Sequence, residues 1–194
     1  MINSRRRAVG LGLVGLAGAF GGTSLLWPRA KAPNQPPAFI GEMQAFLPAS
    51  EPKPATELVA ADGDSRALRL ADMRGKVVLI NFWATWCAPC VRELPALARL
   101  AARLPDADFR LLALSSDRGG KRVVEPFLAK IDLSGFPVHL DENGVTGRAF
   151  GVRGLPTSVL IDRAGRDVGR IEGSADWDDE AAFALIRYYL STPG

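Results

Sequence analysis

The chain has 194 residues, two cysteines and one histidine, too few soft ligands for the four-coordinate cage of a structural zinc site. Its net charge of +3 arises near the amino terminus, because from position 57 onward eighteen basic residues meet nineteen acidic ones. That near-neutral balance excludes a phosphate-binding basic surface of the kind that nucleic-acid-binding domains carry.

In chain order, Ser4-Arg5-Arg6-Arg7 precedes an uncharged stretch, 8–27, of twenty residues. As a helix it would span about 30 Å, the thickness of a bilayer core. Arginines on one side favour a cytoplasmic amino terminus with the remainder exported. Residues 1–27 are therefore expected to be an N-terminal membrane anchor or signal segment, with the uncleaved anchor favoured. Six glycines weaken the span, and Ala17-Gly18-Ala19 or Ala30-Lys31-Ala32 offers a cleavage signal, the second hindered by Pro33. The Ser-Arg-Arg opening also suits twin-arginine export. Residues 28–55 hold seven of the fourteen prolines and read as a semi-extended linker, in which 39–46 has the spacing of a brief amphipathic helix. The remaining residues, 56–194, suit one domain with one core. There is no internal repeat.

Glu57 to Leu70, broken by Ala61-Asp62-Gly63-Asp64, predicts a hairpin ahead of the main sheet. Lys76 to Trp83 is an unbroken apolar, β-branched and aromatic run, which predicts a strand buried on both faces. Trp86-Cys87-Ala88-Pro89-Cys90 follows at its end. Leu94, Leu97, Ala98, Ala101 and Leu104 then recur at helical spacing, with Arg92, Arg99 and Arg103 on a solvated face and Pro95 expected to kink the helix. Phe109 to Ser115 predicts a second buried strand. Val123, Val124, Phe127, Leu128 and Ile131 predict the apolar stripe of a helix starting after Gly119-Gly120. Val138 to Asp141 reads as a short strand, and it and the segment to Phe150 as an insert. Strands at 157–162 and 167–171, turned by Arg163-Ala164-Gly165, lead to a last helix with Asp176, Asp178 and Asp179 at its positive end. The fold class is α/β: a mixed central sheet flanked by helices on both faces.

The cysteine pair is the chemical centre. A structural disulfide closing so short a loop would remove little unfolded-state entropy, so a dithiol that cycles between oxidised and reduced forms fits better. A Cys-x-x-Cys ahead of a helix puts the first sulfur near the helix-start N–H groups, which favour its thiolate. Cys87 is thus the expected nucleophile and Cys90 the resolving thiol. His139 and the two sulfurs are also the donor types that suit copper, which gives a rival metallochaperone reading; a plain strand histidine is favoured. No metal or cofactor is assigned.

The stretch Phe82-Trp83-Ala84-Thr85-Trp86-Cys87-Ala88-Pro89-Cys90, Pro95 five residues later, and Gly151-Val152-Arg153-Gly154-Leu155-Pro156-Thr157 together resemble the thioredoxin superfamily. The resemblance implies a thioredoxin-like fold with an N-terminal hairpin and a central insert. It also implies that Pro156 is cis, packs beside the disulfide and leaves the backbone of Leu155 free to pair with a substrate peptide, with Trp86 and Pro89 beside it. Arg74 to Cys87, Arg92-Glu93-Leu94-Pro95-Ala96-Leu97, and Pro156 to Asp162 are similar to membrane-anchored TlpA/ResA-like thiol-disulfide reductases. The ending, Ile171-Glu172-Gly173 through Asp176-Trp177, most resembles TlpA. The likeness covers about 56–192.

One departure matters. Thioredoxin carries a buried Asp six residues before its first active-site Cys, where this chain has Asn81. In ResA-like members a Glu six residues after that Cys is implicated in proton handling, and Glu93 occupies the place; its plain alternative is a solvated first-turn carboxylate. The resemblance further implies a periplasmic reductant recharged by a membrane electron donor of the DsbD/CcdA type. Its substrates would be copper proteins of cytochrome oxidase biogenesis or, alternatively, apocytochromes c. Ala88-Pro89 agrees with a reductant, since neither residue offers a cation or side-chain donor that would overstabilise the Cys87 thiolate.

Overall fold

A computed structural model of the protein describes residues 41–62, 66–137 and 139–192, all within the compact unit Gln35–Gly194. The proposed anchor, 1–27, lies outside the described residues. Among the described residues, no helix is long and apolar enough to cross a membrane.

The chain forms a 3-10 turn at Gly41–Ala45, then β1 (Leu47–Pro54), β2 (Ala61–Asp62), a second 3-10 turn at Leu70–Met73 and β3 (Val77–Trp83). There follow α1 (Ala88–Arg103), β4 (Phe109–Ser115), α2 (Lys121–Lys130), β5 (His139–Leu140) and α3 (Val145–Ala149). β6 (Thr157–Ile161), β7 (Arg166–Glu172) and α4 (Glu180–Ser191) complete it. The seven strands among the described residues belong to one mixed sheet in the order β1-β7-β6-β3-β4-β5-β2. This is a thioredoxin-like fold.

β3 sits at the centre because every one of its seven residues is apolar enough, or sufficiently hydrogen-bonded, to be buried. It pairs in parallel with β4 and antiparallel with β6. Its alternating side chains feed two cores. Val77, Leu79 and Trp83 meet Leu94, Leu97 and Leu100 of α1 and Phe183 and Ile186 of α4. Val78, Ile80 and Phe82 join Leu112, Val159 and Phe150 on the other face. On α1 Leu94 and Leu97 of the expected stripe are buried and Ala98, Ala101 and Leu104 partly buried against the core, while Arg92, Arg99 and Arg103 face water, and Arg103 stacks 3.6 Å from the ring centre of Phe183. Pro95 lies inside α1, which runs on to Arg103. Asp179 caps α4 by accepting the Ala182 N–H at 2.7 Å.

Three local expectations change. The second half of the expected linker belongs to the sheet, since β1 pairs antiparallel with β7 and Met43 and Phe46 are buried against the core. Prolines 48, 52 and 54 misled because β1 is an edge strand, where a missing N–H goes unmissed. The short helix expected near 39–46 appears as the 3-10 turn at Gly41–Ala45, packed on α4 and β7. The hairpin expectation is met locally, where Leu68 N–H bonds Ala60 C=O at 3.0 Å, but β2 pairs with β5 at the far edge of the sheet. On α2, Val124 and Leu128 are buried, whereas Val123 is an exposed apolar side chain.

Gly169 makes the β1–β7 pairing possible. Its φ is +149°, and a Cβ there would sit 2.6 Å from both Leu47 O and Phe46 Cζ. Gly169→Ala is expected to lower unfolding free energy by about 2 kcal/mol or more, from overpacking and backbone strain together. Gly135, with open space around it, is the control: Gly135→Ala should change denaturant stability by less than about 0.5 kcal/mol.

Candidate active site

β3 ends at Trp83, and the chain turns sharply there: the Cys87 N–H bonds Ala84 C=O at 3.1 Å, and Ser116 N–H bonds Trp83 C=O at 3.0 Å. Cys87 is the N-cap of α1, and its sulfur accepts the Cys90 N–H at 3.3 Å. Pro89 sits in the first turn of the helix, where a proline sacrifices no hydrogen bond. The two sulfurs form a disulfide. Both cysteines are buried, but Cys87 keeps 6% of its surface exposed and Cys90 none, so of the two Cys87 is the more open to an incoming sulfur. Trp86 is 70% exposed, a large apolar ring presented to solvent beside the reactive sulfur.

The Leu155–Pro156 peptide is cis. Thr157 pairs with Phe82 in the β6–β3 register, so Pro156, one residue earlier, falls level with Trp83 at the end of β3 from which the dithiol loop departs. Pro156 is buried and Leu155 half-buried. The backbone groups of Leu155 make no hydrogen bond among the described residues. The residues expected to contact substrate, Trp86, Pro89, Leu155 and Pro156, thus gather at one end of the sheet around the sulfurs.

Glu93 departs from the plain alternative of a solvated carboxylate, for it is 4% exposed. It lies three residues after Cys90 on the same buried face of α1, a spacing that brings Cβ atoms to about 5–6 Å. Its Oε1 accepts from Asn81 Nδ2 at 2.7 Å, and its Oε2 accepts the Ala175 N–H at 3.1 Å. Asn81 Nδ2 also donates to Ser158 Oγ at 3.0 Å, across the β3–β6 pair that sets these two residues opposite each other. On the outer side of the loop that supplies Ala175, a hydrogen bond with Asp178, and then burial, push the Asp176 carboxyl above its usual range. Asp178 is held below its own by Asp176 and Arg99.

Asp117 was missed in the sequence. It is 4% exposed, and its carboxylate accepts the Thr85 N–H at 2.9 Å, the Thr85 hydroxyl at 2.7 Å and the Ser115 hydroxyl at 2.8 Å. It therefore ties the loop that carries Trp86 and Cys87 to the end of β4. The available signal was position: polar residues just beyond the carboxyl end of a buried parallel strand are where α/β sheets build their sites. His139 lies on β5, two strands from β3, at 8% exposure. Among the described residues no three His, Cys, Asp or Glu side chains come together as a metal cage.

A thioredoxin-like fold that presents one reachable and one buried sulfur of a Cys-x-x-Cys at a helix start defines a thiol-disulfide oxidoreductase. The AhpC/TSA family model matches residues 52–166, and the chain belongs to that family. It is 36% identical over 121 residues to the thiol-disulfide oxidoreductase ResA of Bacillus thuringiensis subsp. konkukian (strain 97-27), covering 62% of this chain and 69% of that protein. To ResA of Geobacillus thermodenitrificans (strain NG80-2) it is 37% identical over 125 residues, covering 64% and 71%. Among solved structures, a protein assigned as the thiol:disulfide interchange protein DsbE from Chlorobium tepidum aligns with a TM-score of 0.64 at 32% identity, over 73% of this chain and 99% of that one. The ResA-like resemblance read from the sequence is borne out.

Two measurements probe the site. Alkylation of the reduced protein at neutral pH should modify Cys87 at least about tenfold faster than Cys90, since access and thiolate fraction both favour it; mass mapping of the labelled peptides decides, and preferential labelling of Cys90 reverses the assigned roles. Asp117→Ala leaves three donors around Thr85 and Ser115 without their acceptor, and is expected to cost about 2–3 kcal/mol in urea unfolding while altering the Cys87 labelling rate.

Proposed function

We propose that the protein is exported, held at the outer face of the inner membrane by residues 1–27, and acts mainly as a reductant of disulfides in metal-handling proteins. The observation that carries the reading is the contrast between Cys87, which keeps a little exposed surface beside exposed Trp86, and Cys90, which keeps none. The arginines ahead of 8–27 support export.

In the reduced protein the Cys87 thiolate attacks a substrate disulfide. A Cys87–substrate S–S bond forms, and the substrate's other sulfur leaves as a thiolate. Cys90 then loses its proton and attacks the Cys87 sulfur; the Cys87–Cys90 bond forms and the second substrate thiolate departs. Two electrons have passed from protein to substrate, and a membrane dithiol donor of the DsbD/CcdA type restores them. Glu93, one turn beyond Cys90 on the same face, takes the Cys90 proton as the resolving attack begins. Reduction rather than oxidation is supported by the dithiol surroundings: among the described residues the Cys87 sulfur accepts a single backbone N–H, and Ala88 and Pro89 add no charge or side-chain donor.

The substrates favoured are copper proteins of cytochrome oxidase biogenesis, on the TlpA-like ending from Ile171-Glu172-Gly173 to Asp176-Trp177. The second reading, reduction of apocytochromes c, is favoured by the 36% identity to ResA. Both sit on the same dithiol chemistry.

A Cys90→Ser variant kept in its own membrane tests the assignment, because the resolving sulfur is gone and the mixed disulfide on Cys87 persists. Isolation without reductant is expected to recover exported copper proteins bearing a cysteine pair; apocytochromes c would instead establish the second reading. Recovery of cytoplasmic partners alone, or export that does not depend on residues 1–27, would overturn the exported assignment.

A further inference from the structure

Asn81 is fully buried in the middle of β3, on the face that carries Trp83 and meets α1. Both of its amide N–H groups are used, one on Glu93 Oε1 at 2.7 Å and one on Ser158 Oγ at 3.0 Å. Its Oδ1 is equally buried and has no hydrogen-bond partner among the described residues. An acceptor left so is destabilising, and an apolar side chain of the same shape would avoid the penalty. The sealed centre of a sheet is an expensive place for such an amide unless the oxygen has a use.

The three groups share one property. Glu93 is an acceptor when ionised and a donor when protonated; a serine hydroxyl both donates and accepts; and a half-turn of an amide exchanges its donor for its acceptor. The fourth group does not reverse, for the Ala175 backbone N–H can only donate, and it holds Glu93 Oε2 as an acceptor. A proton arriving on Glu93 therefore belongs on Oε1, the oxygen that faces Asn81.

We infer that Asn81 is the positioning residue of the proton step, its amide reversing with the protonation state of Glu93. This rests on the proposed role of Glu93 as acceptor of the Cys90 proton. With Glu93 ionised, Nδ2 donates to Oε1 and to Ser158 Oγ, as the structure has it. When Cys90–SH and the Glu93 carboxylate become Cys90 thiolate and Glu93 acid, the amide turns, and Oδ1 accepts from both the new O–H and the Ser158 hydroxyl. An aspartate at position 81 offers no donor to the ionised carboxylate and sets a like charge against it; leucine offers neither donor nor acceptor. Asparagine serves both states. Around Glu93, its own helix presents the Cys90 thiol, β3 and β6 present the uncharged Asn81 and Ser158, and the loop before α4 presents the Ala175 N–H. The carboxylates of that loop, Asp176 and Asp178, engage each other and Arg99.

The test is the pH profile of the resolving step: the full-length protein is loaded on Cys87 with glutathione, and the rate at which Cys90 expels it is followed by rapid quench. Asn81→Leu should move the midpoint of the profile upward by about one pH unit, slowing the step about tenfold at neutral pH, because the buried carboxylate loses its donor on Oε1. In a Glu93→Gln background the same substitution should not move the profile further, the two residues acting as one unit. An equal shift in both backgrounds would make Asn81 merely structural and overturn the inference while leaving Glu93 its role. A wild-type profile in Glu93→Gln would overturn the reading on which the inference rests. Should Asn81→Leu fail to fold, the exchanged pair Asn81→Asp with Glu93→Gln keeps one carboxylate and one amide in the same contact. It should regain the pH-dependent step that Glu93→Gln lacks, and a profile as flat as that of Glu93→Gln alone would overturn the inference.

Discussion

The site depends on the burial of β3 between two partners of opposite direction. A strand sealed on both faces cannot shift register without moving its alternating side chains into the wrong core, so the position of Trp83 at its end is fixed to within a residue. The turn that follows, the start of α1 and both sulfurs inherit that placement. β6 on one side brings Pro156 level with the dithiol loop, and β4 on the other brings Asp117 under Thr85. Geometry at the sulfurs is thus set by sheet packing and by one carboxylate clamp, leaving the reactive turn itself short and plain.

The same strand carries its own exception. One of its seven residues, Asn81, is polar, and it is satisfied on one side of its amide by Glu93 and Ser158. Buried polar groups in a low-dielectric core make strong contacts when paired and are costly when not. Asn81, Glu93 and Ser158 form such a paired polar cluster within the apolar layer under α1, with Glu93 a turn from the buried Cys90.

Much of this was legible in the sequence, and the reasons are specific. The runs Val77–Trp83, Phe109–Ser115 and Thr157–Ile161 were found because strands buried on both faces need no alternation to be recognised, and α1 because its apolar residues keep helical spacing while its arginines do not. β1 was hidden because proline content signals a linker and an edge strand tolerates proline equally well. The burial of Glu93 was hidden because it follows exposed Arg92, and its partners Asn81 and Ala175 are distant in the chain and joined to it through folding alone. Val123 has the spacing of a core residue yet lies at the margin of the helix stripe, where periodicity alone does not distinguish inside from outside.

The edges of the sheet carry one more consequence. A free strand edge invites pairing by any extended chain. β1 at one edge is interrupted by Pro48, Pro52 and Pro54 and bulges between Pro48 and Lys53, while β2 at the other is two residues long. Neither offers an incoming strand a continuous ladder of donors and acceptors. An extended polypeptide, a second copy of this chain included, therefore finds no continuous ladder to extend at either rim, and the poverty of the edges keeps the sheet from growing by strand addition.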